Sequence, residues 1–398
     1  MTIFYFISIS LCYIVYRLLL RNIINSLIIL LVLHELIKKL IYIAFSQEYG
    51  AEISNIAGLP IIFFLALNLL KIKKIEKAEF KIIMPLIVIL GAFFIISQSN
   101  FFEVLPSIAA FLILSQSNKV NRSTYRIIST VFIISFVSSL FNIIKPDYLW
   151  TSYSSAAIDY TTGAFYSPER GYFGGLFSSP AEYGLFIMFY FAIMLNKYRT
   201  SSFTKFILTL SCLSASLLTG SRYILFGVII YILLVLFFKG LSKKKTGRLI
   251  TIITIAFFLV VQDSFVNRIV ANGAVDRGGD TVIERRINNT NTLGDRSGFI
   301  SGLFSIEPAN LIKGSPESSD RHNLILRLIF QGTVISLFAF MIFIYNLLSR
   351  VKYEPHHYYY IITLLLISFG GPQILGLWSM IGVGILMSFS RASIRRVN

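Results

Sequence analysis

Charge is scarce in this sequence. Only 14% of the 398 residues are charged, 55% are hydrophobic, and the mean hydropathy is +0.73. A soluble domain carries about 25% charged residues, so an ordinary soluble globule is excluded on composition. Cysteine is scarcer still. Cys12 and Cys212 are the two present; they lie far apart in apolar runs, have no metal-ligand spacing, and read as buried small hydrophobes. The usual signatures of soluble catalysis are missing: no Walker A sequence, no Gly-x-Ser-x-Gly elbow and no His-Glu-x-x-His. Asp276 and Asp280 do not form a calcium-loop pattern. There is no repeat of about 20–50 residues, no low-complexity tract and no detachable soluble domain. No small-residue cleavage site follows the first apolar run, which therefore reads as a retained helix.

What the chain does have is apolar runs from end to end, many of them of about 15 to 24 residues and so long enough to cross a hydrocarbon core of about 30 Å. They cover residues 3–20, 23–45, 56–70, 80–97, 101–114, 127–144, 181–195, 206–218, 223–238, 249–261, 324–348, 361–369 and 374–389. A transmembrane barrel would show weak alternating segments instead. The expected fold is all-α: a polytopic integral membrane protein of about 12 to 13 transmembrane helices. The net charge of +17 comes from lysines and arginines clustered in short connections, such as Lys71, Lys73, Lys74 and Lys77. That is positive-inside patterning, not a nucleic-acid stripe. It puts two long polar segments, 145–180 and 263–323, on the periplasmic or extracellular face. The organisation reads as N-terminal transmembrane helices (1–144), an outer loop (145–180), transmembrane helices with a Ser-Arg outer turn (181–262), a large outer loop (263–323), and C-terminal transmembrane helices with a basic cytoplasmic tail (324–398). The weakest stretch for orientation lies between Arg17 and Lys39, where charges interrupt the second run.

Three features of the outer face go beyond loop polarity. The first runs from Arg170 through Gly171, Gly174, Gly175 and Phe177 to Pro180. Its glycines permit close backbone approach, Pro180 suits a first helical turn, and an arginine near a helix N-terminus is a place for an anion. A glycine-rich re-entrant turn with a surface arginine gives the same pattern. The second is Ser221-Arg222 between two apolar runs. An arginine at the membrane boundary is expensive and tends to be functional, and its fork suits phosphate; snorkelling to the interface is the alternative. The third runs from Arg296 to Gly314 and then through Arg321, His322 and Asn323 to Arg327, with Gly332 beyond. His322, one of four histidines, stands at the mouth of a membrane helix. It suits a base for a hydroxyl proton, or simply polar entry to the helix. Arg285 and Arg286 offer a phosphate contact or a solvated loop.

Together these stretches resemble the O-antigen polymerase (Wzy) family, within the wider superfamily of O-antigen ligases and polymerases. Gly175-Leu-Phe177-Ser-Ser-Pro180 is similar to the family's Gly-x-Phe-x-x-Pro element with an arginine upstream, here Arg170. Ser221-Arg222 resembles its Ser-Arg helix start. Arg296 through Gly314 resembles its arginine-led helix, and His322-Asn323 with Gly332 its His-Asn before a membrane helix. All four occur in the family's order. The resemblance implies transfer of a growing glycan from undecaprenyl diphosphate to a sugar hydroxyl of another lipid-linked repeat unit. It implies His322, Arg222 and Arg296 as catalytic residues, with Arg170, Arg321, Ser221, Arg285 and Arg286 binding the diphosphate. The expected setting is the bacterial inner membrane, with the active site on its outer face. Expected partners are the undecaprenyl-diphosphate-linked oligosaccharide, membrane lipid, a chain-length regulator and a flippase; no nucleic acid, metal or other cofactor is expected. A glycan ligase of the same superfamily and a lipid-linked oligosaccharide flippase are the alternative readings.

Overall fold

The computed structural model describes residues 22–44, 59–72, 77–116, 120–144, 158–159, 164–165, 175–177, 180–197, 202–219, 222–237, 324–351, 354–368 and 373–397. These hold eleven α-helices: α1 (Ile23–Ala44), α2 (Leu59–Leu69), α3 (Lys77–Ile96), α4 (Gln98–Ser115), α5 (Arg122–Ile144), α6 (Pro180–Lys197), α7 (Ser202–Leu218), α8 (Arg222–Phe237), α9 (Leu324–Val351), α10 (Pro355–Ser368) and α11 (Leu377–Val397). A 3-10 turn at Gln373–Leu375 leads into α11. The one strand pairing among the described residues is a two-residue antiparallel ladder, β1 (Ile158–Asp159) on β2 (Ala164–Phe165).

In lipid every backbone polar group must find its partner inside the chain, so apolar runs become helices. Among the described residues, three helices contain spans long and apolar enough to cross a membrane: Glu79–Ile96, Arg122–Leu140 and Arg327–Val351. Shorter apolar helices accompany them, among them Ala181–Leu195, Phe203–Leu218 and Ile224–Val235. Apart from the short β1–β2 ladder, the described residues are thus helical and of membrane character. The runs at 3–20 and 249–261 lie outside the described residues.

Helix starts carry local caps. The Asn22 side chain accepts from the backbone N–H of Ile24 and Asn25 at 3.0 and 3.3 Å, and Asn121 Oδ1 accepts from the N–H of Thr124 at 3.0 Å. These are N-cap bonds to otherwise orphaned donors. The two starts are tied to each other, because Asn25 Nδ2 donates to Ser123 Oγ at 2.6 Å. The beginnings of α1 and α5 therefore share one end of the bundle.

Side-chain contacts fix the other directions. α3 and α9 pack antiparallel: Asn346 Nδ2 donates to the Lys81 carbonyl at 2.7 Å, and Gly332 lies against Phe93. α4 and α11 run parallel, with Gly384 against Phe111 and Leu114. Phe111 meets Phe343 of α9 edge-on at 6.0 Å. α5 and α6 are antiparallel, since Phe132 stacks on Tyr190 at 4.0 Å and Ser129 meets Met194. α8 and α10 are antiparallel, joined by Tyr231 Oη to the His356 carbonyl at 3.3 Å and by Gly227 against Ile367 and Thr363.

The buried core follows from this packing. It gathers α6, α8, α10 and α11, with Tyr183, Phe186, Phe189, Tyr231 and Tyr360 all fully enclosed. The rim is apolar and outward-facing: Phe80, Met84 and Ile87 on α3, and Ile335, Phe338, Ile342 and Tyr345 on α9. Large exposed apolar side chains along a helix of spanning length form a lipid-facing surface. Two helices extend beyond their apolar runs. α10 starts at Pro355, so that His356 and His357 belong to its first turn, and α11 continues through the basic tail to Val397.

Candidate functional site

The starts of α6, α8, α9 and α11 meet at one end of the bundle, called here the Pro180 end. Pro180 occupies the first position of α6, where its missing N–H costs nothing and its fixed φ favours the helix. Just before it the chain folds back on α5. Gly175 has φ +57°, and a Cβ there would stand 2.6 Å from the Ser135 carbonyl oxygen and 3.0 Å from its Cβ. Only glycine fits that backbone without displacement. The fold-back drives Phe177 into the bundle, where it is fully buried. Its ring lies 5.0 Å from Phe186, 5.5 Å from Tyr183 and 5.3 Å from Trp378. The Gly-x-Phe-x-x-Pro element is therefore an anchor: glycine for the approach to α5, phenylalanine for the wedge against α6 and α11, proline for the helix start.

The Ser-Arg start is close by. α7 is followed by Thr219, whose Oγ donates to the Ser216 carbonyl at 2.7 Å, and α8 begins at Arg222. Gly184 of α6 faces Ile224 of α8 so closely that any Cβ would collide with that side chain. The backbone of Arg222 thus opens its helix beside the Phe177 anchor.

The third start is α9, whose first residue, Leu324, directly follows His322-Asn323. Its opening turns are buried: Leu324, Arg327 and Leu328 are 3%, 3% and 0% exposed. One turn on, Gln331 is 2% exposed, and its Oε1 accepts no hydrogen bond. The helix then breaks. Thr333 takes φ 64° and ψ 174°, a conformation rare for a β-branched residue. Below the break Thr333 Oγ1 accepts from the N–H of Ile335 at 3.3 Å, and Ser336 Oγ donates to the Gly332 carbonyl. The lower half thus has its own N-cap. Hydropathy carries no trace of this break, because Gly332-Thr333 sits inside an uninterrupted apolar run without proline. Gln331 has no sequence signal of its own. Arg327 does: a lone arginine inside a spanning run invites a functional reading.

No family model, curated protein or solved structure matches this chain. The site therefore rests on its own geometry and on the sequence motifs. Of the residues expected to act, Arg222 lies at the Pro180 end through its backbone. Arg170, Ser221, Arg285, Arg286, Arg296, Arg321 and His322 lie outside the described residues. Among the described residues, no group of three or more His, Cys, Asp or Glu side chains could hold a metal ion. The opposite end of the bundle, called here the Lys81 end, carries exposed Lys81, Arg122 and Arg126, with Arg350 partly buried. In chemical terms the Pro180 end offers an arginine-led helix start, a buried guanidinium and an open carboxamide acceptor, on a rigid aromatic base. Such a set can hold an anion and orient a hydroxyl.

Proposed function

We propose that the chain is a polysaccharide polymerase of the bacterial cytoplasmic membrane, of the O-antigen or capsule type. It transfers a growing glycan from undecaprenyl diphosphate to the sugar hydroxyl of another lipid-linked repeat unit. One observation carries the reading: the helices that begin directly after the Gly-x-Phe-x-x-Pro, Ser-Arg and His-Asn stretches all open at the same end of the bundle. The basic Lys81 end is the opposite one, so by the positive-inside rule the shared end faces outward.

In this reaction the acceptor oxygen forms a bond to the anomeric carbon while the bond from that carbon to the phosphate oxygen breaks. The hydroxyl proton passes to His322, acting as general base. The electron pair leaves on undecaprenyl diphosphate. Arg222 and Arg296 stabilise the charge that develops on the departing diphosphate, since fixed donors aimed at developing charge lower the barrier. Arg170, Arg321, Ser221, Arg285 and Arg286 hold the diphosphate in the ground state. A chain-length regulator and a flippase supply the setting in which this polymerase works.

The test is deletion of the gene followed by glycan analysis. Loss of a polymerase leaves a single repeat unit on its acceptor. Long chains that stay on the lipid carrier would point instead to a ligase, and repeat units trapped on the cytoplasmic side to a flippase; either would overturn the proposal.

A further inference from the structure

We infer that Arg327 and Gln331 bind the phosphate–sugar junction of a polyprenyl-linked glycan, whose polyprenyl chain lies in the groove between α3 and α9. The inference rests on the polymerase reading and adds a binding site to it.

The first ground is burial. Arg327 is the first residue of a spanning segment yet only 3% exposed; an arginine at that level ordinarily snorkels to water, and a substrate contact would explain its enclosure. One turn below, Gln331 is 2% exposed and its Oε1 accepts nothing. A buried acceptor left unsatisfied is costly, and a ligand hydroxyl would relieve it.

The second ground is complementarity. Side chains at i and i+4 on a helix stand about 5–6 Å apart. Arg327 offers a planar fork of donors suited to phosphoryl oxygens, and Gln331 offers an acceptor suited to a hydroxyl. A sugar phosphate presents those two groups within about the same distance, whereas a simple phospholipid phosphate lacks the ring hydroxyls.

The third ground is depth. Arg327 and Arg350 are 350 − 327 = 23 residues apart on α9, or about 35 Å at 1.5 Å per residue. The hydrocarbon core is about 30 Å thick. With Arg350 at one interface, Arg327 stands at the headgroup level of the other, where a lipid diphosphate lies.

The fourth ground is the groove. Below the Thr333 break, α3 and α9 border a cleft of about 470 Å³, lined by Met84, Pro85 and Val88 on one side and Ile335, Phe338 and Ile342 on the other, and running down to Lys81 and Asn346 at the Lys81 end. It is almost wholly apolar and opens outward along the lipid-facing rim. A soluble phosphate would have no use for it; a polyprenyl chain hanging from a phosphate at Arg327 would fill it.

The test uses the full chain in phosphatidylcholine nanodiscs, titrated with four probes: undecaprenyl diphosphate, undecaprenyl-diphosphate N-acetylglucosamine, undecaprenol and inorganic diphosphate. The parent is expected to bind both diphosphate lipids more tightly than undecaprenol or inorganic diphosphate. Arg327→Ala should weaken both diphosphate lipids about tenfold or more, the scale of one charge-assisted contact. Arg327→Lys keeps the buried charge but loses the fork, and should weaken both by a smaller factor; it decides the matter where the alanine variant fails to accumulate. Gln331→Leu should weaken only the glycosylated lipid, a selective loss that a merely structural role would not produce. Parent-like binding by Arg327→Lys and Gln331→Leu overturns the inference and leaves the polymerase reading standing. Inorganic diphosphate binding as tightly as its lipid form overturns the lipid-linked source. A parent that does not distinguish the diphosphate lipids from undecaprenol overturns both readings.

Discussion

Replacing Gly175 with alanine is a sharp test of how the Pro180 end is built. Two costs follow from the geometry. Holding a residue with a Cβ in the left-handed region costs about 1 kcal/mol. The new methyl would also stand 2.6 Å from the Ser135 carbonyl oxygen, well inside van der Waals contact. Relieving that overlap means moving backbone on α5 or on the fold-back, and overpacking of this kind costs about 1–3 kcal/mol. The sum is about 2–4 kcal/mol. Because Phe177 follows two residues later, the displacement should also loosen its contacts with Phe186 and Trp378. The chain has two tryptophans, so a Trp150→Phe background leaves Trp378 as sole reporter. Unfolding in mixed micelles should then show the stability loss, together with a red-shifted Trp378 emission before unfolding begins. Gly91→Ala is the control. It lies within α3 with nothing within 4 Å of its missing Cβ, so alanine should stabilise by about 0.5–1 kcal/mol through helix propensity. A Gly175→Ala protein as stable as its parent, with unchanged Trp378 emission, would refute the account of the anchor.

Other expectations follow from the same structure. Arg222→Ala and His322→Ala should abolish chain extension while the protein still accumulates in the membrane; normal long glycan from either would remove that residue from the mechanism. Breaking the Asn25–Ser123 bond in a double-mutant cycle should give a coupling of about 0.6 kcal/mol, the average for interhelical bonds in membranes, and a coupling of zero would mean the two helix starts are not tied. In a background lacking Cys12 and Cys212, a cysteine at Lys73 should react with an impermeant maleimide only after the cells are opened, and one at Gly220 in intact cells. The reverse pattern would invert the bundle.

Much of the helical frame was legible from hydropathy. The runs at 80–97, 127–144 and 223–238 correspond to α3, α5 and α8 within a few residues at each end. The reason is physical: the bilayer imposes one length and one polarity on every crossing, so the signal is strong. What stayed hidden was local geometry that leaves apolarity unchanged. The Thr333 break is invisible because glycine and threonine are tolerated in a membrane run. The start of α10 at Pro355 was missed because His356 through Tyr360 are amphipathic rather than apolar, although Pro355 carried the helix-start signal. At the candidate site, Gly175 was readable as a close approach but not as an approach to Ser135, which comes from a different helix. Phe177 read as a motif position, and only its packing reveals it as the wedge against Trp378. Gln331 had no sequence mark at all, since its meaning lies in a carboxamide oxygen that finds no partner.

The pairing of α3 with α9 has a consequence for how the protein is made. Asn346 and the Lys81 carbonyl it bonds are 346 − 81 = 265 residues apart. At roughly 5–20 residues per second, α3 waits on the order of ten seconds to a minute in the bilayer before its main packing partner has been synthesised. During that interval the face that will receive Gly332 and Asn346 meets lipid or another helix, and α4 is the neighbour already present. The Pro180 end must therefore be laid down in two stages. The α5 and α6 side of the Phe177 anchor comes first; the opening turns of α9, and then Trp378 of α11, are added once most of the chain is in place. A ribosome that stalled before residue 324 would leave Phe177 against α6 without Trp378 to close the anchor, and with the binding face absent.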